Sequence, residues 1–357
     1  MAFDLTESKK WVGKDLPLTY NRDPIEKWEI RHWVWGMEDL NPLWFDEAHG
    51  KKSHYGGMVA SPSFIYSLDY STRNYIGHIP NSWPLYVGSR LEWGGLIRPG
   101  DVIDIKRVML SFAEKDSKTI GPMVLYTGDA VFTNQRGDHI CTCTSTVARY
   151  QPSEAMQRGH KNAKPWPEYT PERLAAIKAE KAAHTRRGAT PRYFEDVAGG
   201  DEVSPVVNGP HDPMTWARHF TAVRMVIAAS LFQPGDRARQ TKDVGNVLPD
   251  PGEVHIRTDL GAKVGMPRGY AYGPQVVSWG MVPVTDWMGD AGFLKSFELR
   301  LNLPIMLGDT TWNKAKVEEK RVEGGKGLVR LRVWQEDQDG QAVGAGSATV
   351  VLPMKTR

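Results

Sequence analysis

The sequence predicts an α+β fold built twice over, each half a curved antiparallel sheet wrapped around one buried helix. Three observations predict it. First, "RLEWGGLIRPGDVIDIKRVML" near residue 100 and "ELRLNLPIMLGDTTWNKAKVEEK" near residue 308 share one plan: a strand-like approach, a Gly-Asp turn (Gly100-Asp101 and Gly308-Asp309), then a second strand-like run. Second, each is followed by another long strand, a polar turn ("NQRGD" at 134–138, "EDQDG" at 336–340) and a strand rich in Ser, Thr, Ala and Val. Gly and Asp supply the backbone angles such hairpin turns require. Third, an acidic loop precedes each turn at a matched distance: Asp39 lies 62 residues before Asp101, and Asp250 lies 59 before Asp309. An internal repeat of this kind decides the architecture before any single element does.

Taken in order, residues 1–150 form the first half. Its candidate central helix runs through "SPSFIYSLDYSTRNYI", with Pro62 at the helix start. Residues 151–190 form a polar, Pro-bearing linker containing a solvent-exposed helix, "TPERLAAIKAEKAAHTRRG". Thr170 is its N-cap, Pro171 its first residue, and Gly188 follows the basic end, where cations suit the helix dipole. Residues 191–357 form the second half, whose central helix runs through "PQVVSWGMVPVTDWMG"; Pro283 predicts a break in it. A helix followed by long antiparallel strands in each half is the α+β pattern.

Composition narrows the function classes. With 40% hydrophobic and 24% charged residues the chain is globular, not disordered. A net charge of +3 suits a phosphate-bearing small molecule and shows no clustered basic stripe of the kind nucleic acid requires. Cys141 and Cys143 would lie on one face of a strand, too close for a relaxed disulfide and too few for zinc, so they are read as reduced thiols of a cytoplasmic protein. No apolar run reaches the roughly 20 residues of a membrane span, and the N-terminus lacks an apolar signal region. Many of the 13 tryptophans, among them Trp44, Trp83 and Trp93, are expected in the core or along a pocket wall.

The order of these motifs over nearly the whole chain resembles two fused modules of the hotdog fold, specifically the MaoC-like (R)-specific enoyl-CoA hydratase/dehydratase family. Members resemble D-x-N-P-x-H-x-D, followed by a Gly-containing helix start and a later P-x-x-G-D turn. In the first half Asp39, Asn41, Pro42 and Asp46 stand at the family's spacing, but Trp44 occupies the histidine position. An indole N–H only donates, so Trp44 cannot act as a base. With its segment "YGGMVASPSF", this half is similar to the non-catalytic, acyl-chain-binding partner of two-hotdog dehydratases, and Asp39, Asn41 and Trp44 are its candidate substrate-binding residues. In the second half Asp250 and His255 stand five apart as the family's acid and histidine do. Gly252-Glu253 replaces Asn-Pro, and Arg257 replaces the second acid. Gly265 and Pro267 fall at the family's Gly and Pro, Tyr272-Gly273 where it has His-Gly, "VTDW" near its "LTDW", and "RLNLPIMLGD" at its R-x-x-x-P-x-x-x-GD.

The resemblance implies hydration of a trans-2-enoyl-CoA to the (R)-3-hydroxyacyl thioester, or the reverse dehydration, with a CoA thioester as substrate and no metal or redox cofactor. Water must lose a proton as it attacks the β-carbon, the α-carbon must gain one, and the thioester oxygen must be stabilised. A histidine suits the first two needs at neutral pH, and an unpaired N–H at a helix N-terminus suits the third. The candidates are Asp250 and His255 as the acid–base pair, the Gly273 N–H as oxyanion donor, and Tyr272 as a substrate-binding neighbour. Pro274 has no N–H to offer. His49 and His54 would move the activity to the first half if His54 turned into a pocket there. A thioesterase, attacking the carbonyl instead of the alkene, and a non-catalytic acyl-thioester-binding protein are the alternatives. A homo-oligomer, a dimer in the manner of paired hotdogs, is expected.

Overall fold

The computed structural model describes residues 3–16, 22–69, 82–118, 120–159, 164–224 and 251–355. Asp250 lies outside them, as does the later part of the first candidate central helix.

The first half supplies β1 (Trp83–Trp93), β2 (Ile103–Ser117), β3 (Gly121–Asn134) and β4 (His139–Tyr150). A short β5 (Val206–Asn208) follows the linker, and the second half adds β6 (Phe293–Leu301), β7 (Thr311–Glu323), β8 (Lys326–Asp337) and β9 (Ala342–Leu352). All pair antiparallel in one sheet, in the order β2-β3-β4-β1-β6-β9-β8-β7-β5. Alternating burial along β3 and β8 shows one face of the sheet turned to the core.

The repeat holds at the level of single hydrogen bonds. Asp101 accepts the Arg98 N–H and Asp309 the Met306 N–H, each three residues back, at 2.8 and 2.9 Å. Gln135 accepts from Val102 N–H and Gln338 from Thr310 N–H, so each polar turn reaches back to its own Gly-Asp turn. Gly100 and Gly308 sit at φ +88° and +89°, where glycine alone is unstrained. The offset of 208 residues that carries Asp101 onto Asp309 also carries Arg90 onto Glu298, and these two are paired across β1 and β6. The halves are therefore related by a pseudo-two-fold axis through the middle of the sheet.

Even the sheet edges are covered alike. Gly13 and Leu16 donate to Met109 and Arg107 of β2, while Gly200 and Val203 donate to Val317 and Ala315 of β7. Covering an edge in this way removes a template for aggregation.

The second central helix, Gly273–Met288, is buried over almost its whole length. It is apolar on all sides because it is enclosed on all sides. The break expected at Pro283 does not occur, and the helix continues to Met288. Packing inside the sheet outweighs the lost hydrogen bond, since tertiary burial supplies most of a helix's stability. In the first half a 3₁₀ turn at Pro62–Phe64 leads into Ile65–Leu68, all of it buried. The linker helix spans Pro171–Ala182 with Thr170 capping Arg173 N–H, and it is not wholly exposed, because Ile177 is buried. Cys141 and Cys143 are free thiols buried side by side on β4, and burial pushes both well up from the ordinary thiol range. No helix of the described residues is long and apolar enough to cross a membrane.

Candidate active site

His255 closes a 3₁₀ turn, Pro251–His255, that packs beside the start of the second central helix. Its Nδ1 lies 2.6 Å from the carbonyl oxygen of Tyr270. A carbonyl only accepts, so Nδ1 carries the proton and Nε2 presents a lone pair. Burial pushes the imidazole down to about 3, against the pull of the Tyr270 carbonyl, so the ring is neutral at physiological pH. The ring is held by aromatics: Tyr272 at 3.6 Å between centroids, Tyr270 at 4.4 Å, and the edge of Phe220 at 6.2 Å. Tyr272 is fixed in turn by stacking on His219 and by its hydroxyl, which donates to Gly252 O at 3.3 Å.

His255, Tyr270, Tyr272 and Gly273 line one cavity of about 150 Å³. Its far walls come from both halves: Leu85, Tyr86 and Val147 of the first, and Leu301–Ile305 of the second. Gly273 is the first helical residue after Tyr272, so its N–H has no acceptor within the helix, and Pro274 behind it contributes no donor. The glycine is also required sterically. A methyl group on Gly273 would stand 2.5 Å from the Cβ and Cδ1 of Tyr86. What approaches the Gly273 backbone here is a side chain of the other half, a contact that no motif in the sequence signals.

The first half places its counterparts differently. Ala60 N–H donates to Ile97 O as Ala271 N–H does to Ile305 O, both at 2.8 Å, so Ser61 matches Tyr272 and Pro62 matches Gly273. The first half thus has proline where the second has the Gly273 N–H, and Trp44 where the second has His255. Asp39, Asn41 and Trp44 do not line the cavity. Asn41 accepts the Leu43 N–H at 3.1 Å and caps the turn Pro42–Phe45, and Trp44 is buried in the main core. Trp83 and Trp93 are buried as well, Trp83 donating to the Tyr270 hydroxyl, and no tryptophan lines the cavity. His54 lies against the Tyr55 ring, and His49 bonds Asp290 at 2.6 Å; neither lines the cavity.

Asp39 belongs to a buried polar cluster at the other end of the second central helix. Burial first, and the negative charge of Asp286 second, push its carboxyl up to about 8, against the Asn41 N–H and the Arg186 charge. Asp286, from "VTDW", accepts from His184 at 2.7 Å and from Arg186 at 3.0 Å. The basic end of the linker helix was expected to serve the helix dipole. His184 and Arg186 instead lie beyond the last helical residue and neutralise a buried carboxylate, which needs a cation more than a helix end does. A proton on folded Asp39 has a stability consequence. Its folded value lies above the unfolded 3.8, so its contribution is complete below that pH and is lost as pH rises toward 8. Asp39→Asn, which cannot ionise, is expected to gain on the wild type across that window, by on the order of 1 kcal/mol or more near pH 8. Denaturant midpoints for both proteins at pH 5 and pH 8 check this; a variant less stable than wild type at pH 8 would mean that Asp39 is ionised when folded.

Residues 10–143 match the family model of the FAS1-like dehydratase domain region. A probable enoyl-CoA hydratase alpha subunit of Thermomonospora curvata is 24% identical over 172 residues, covering 42% of this chain and 53% of that protein. The chain thus spans about half the length of that relative. A MaoC-like dehydratase structure superimposes with a TM-score of 0.67 at 15% identity, over 97% of this chain and 99% of the other. A putative MaoC domain protein dehydratase from Chloroflexus aurantiacus gives 0.62 at 11%, over 97% and 96%. A Mycobacterium tuberculosis protein described as a double hotdog gives 0.55 at 10%, over 92% and 93%. The chain has the double hotdog fold that it shares with these structures, and its first half is similar to the FAS1-like dehydratase domain region.

Proposed function

We propose that the protein hydrates trans-2-enoyl-CoA thioesters, or dehydrates the corresponding 3-hydroxyacyl-CoAs, in the cavity of the second half. The observation that carries this reading is a neutral imidazole, its Nε2 unprotonated, sharing one cavity with the helix-start N–H of Gly273, which has no acceptor within its helix. In the forward direction a water loses a proton to His255 Nε2 as its oxygen bonds to the β-carbon. The alkene electron pair shifts toward the thioester, whose oxygen becomes negative opposite the Gly273 N–H. The α-carbon then takes a proton back and the enolate collapses to the saturated thioester. Asp250 is the proposed carboxylate partner that orients the water and balances the transient imidazolium. That balance matters here, because a base pushed down to about 3 does not hold a proton without a nearby negative charge.

A panel of trans-2-enoyl-CoAs tests the proposal, with alkene absorbance and free thiol followed together. Loss of absorbance without thiol release is the expected result. Thiol release would turn the reading to a thioesterase, and binding with neither change would turn it to a non-catalytic acyl-thioester binder.

A further inference from the structure

The cavity has a wall that belongs to the other half of the molecule, and its placement is set by an irregularity in the sheet. Between Tyr86 and Gly88 the register of β1 against β4 slips by one residue. A bulge of this kind re-aims the neighbouring side chain. Tyr86 is the residue so aimed: it lines the cavity, and its ring lies against the Gly273 backbone. It also packs on the main core, which both halves build, and on the first-half cluster of Leu16, Met109, Tyr126 and Val147. With Pro84, Leu85 and Val147, this ring forms the first half's share of the cavity wall. The pseudo-symmetric position on β6 carries the same slip, between Leu294 and Ser296, but there the residue is Leu294, buried in the core. The first half thus lends an aromatic ring to the cavity that holds the histidine, and the second half has a leucine at the matching position.

The space in front of that ring is small. A volume of about 150 Å³ is comparable to a cavity that admits a benzene-sized group, which suits a few carbons of acyl chain. We propose that Tyr86 is the specificity-determining residue of this site, closing the acyl end of the cavity so that it takes short acyl thioesters of about four to six carbons. The first half then acts on substrate choice chiefly through this side chain, which touches the helix start, with no catalytic group of its own. This inference rests on the hydratase reading for its kinetic form, but not for its binding form.

The test compares wild type, Tyr86→Phe and Tyr86→Leu on enoyl-CoAs of four, six, eight and ten carbons, with binding of the matching saturated acyl-CoAs measured by calorimetry. Wild type and Tyr86→Phe, which keeps the ring, are expected to lose at least tenfold in kcat/KM and in affinity between six and ten carbons. Tyr86→Leu should flatten or reverse that preference, chiefly through KM, and thermal melts confirm that it is folded. Equal handling of four and ten carbons by the wild type, or an unchanged length profile in a folded Tyr86→Leu, would overturn the assignment. If no enoyl-CoA is hydrated at any length, the hydratase reading fails, and the calorimetric length profile still decides the role of Tyr86; no binding at any length overturns it.

Discussion

His255→Ala is expected to lower kcat/KM for enoyl-CoA hydration by about 10²–10⁴-fold, the usual contribution of a positioned general acid–base group, while leaving the fold in place. The structural cost is small because the imidazole is half-buried and its one hydrogen bond among the described residues goes to the Tyr270 carbonyl, so truncation leaves an acceptor and not a buried charge. Circular dichroism and a thermal melt separate loss of chemistry from loss of fold. The pH profile makes the argument sharper. An exposed histidine base would lose activity as pH falls through about 6.5. Burial has moved His255 down to about 3, so the free-enzyme profile should stay flat through that region and fall only in more acidic solution. A folded His255→Ala with wild-type turnover removes the residue from the chemistry. An acid limb centred near 6.5 that His255→Ala abolishes would show the ring to be solvated in the working enzyme, and the aromatic packing around it to be irrelevant to its basicity.

What the sequence makes legible follows from where the physics is local. The Gly-Asp turns, their polar partner turns and the alternating strands are local patterns, and all of them appear where the repeat places them. The site is half legible for the same reason. His255, Tyr272 and Gly273 sit within one stretch of chain and meet in one cavity, whereas Asp250 lies outside the described residues. Tyr86 and Val147 reach that cavity from more than a hundred residues away, and nothing in their own neighbourhood marks them. The shared register slip is the one sign that could have pointed to Tyr86, and it becomes visible only when pairing is known. Asp286 shows the same limit: its "VTDW" matches the family's "LTDW" without assigning it a role, and only the fold brings His184, Arg186 and Asp39 around it. The Pro283 expectation failed because local propensity is a weak prior inside a fully enclosed helix.

The two Gly-Asp turns share one local geometry and differ in surroundings, which makes a paired experiment possible. Asp309 is fully buried; besides the Met306 N–H it accepts from Arg268 at 3.2 Å, Lys164 at 3.0 Å and Gln338 at 3.3 Å. Arg268 is itself buried, stacked on Trp166 and tied to the carbonyls of Lys164 and Pro165, so this one carboxylate pins the linker to the second half beside the segment that carries His255. Asp101 keeps the turn bond to Arg98 N–H, but its ionic partner, Arg136, is mostly exposed. Removing a carboxylate from a buried pair strands the opposite charge and costs about 3–5 kcal/mol, whereas an exposed partner is re-solvated at about 0–1 kcal/mol. Asp309→Ala should therefore destabilise by about 3 kcal/mol or more. Asp101→Ala should cost about 1–2 kcal/mol, mostly from the turn bond. Asp309→Asn, which keeps an acceptor for the turn but no charge for Arg268, should fall between them. Urea denaturation of the three variants measures the order. Equal losses for Asp309→Ala and Asp101→Ala would mean that turn geometry, common to both halves, carries the energy and that the buried guanidinium finds other partners.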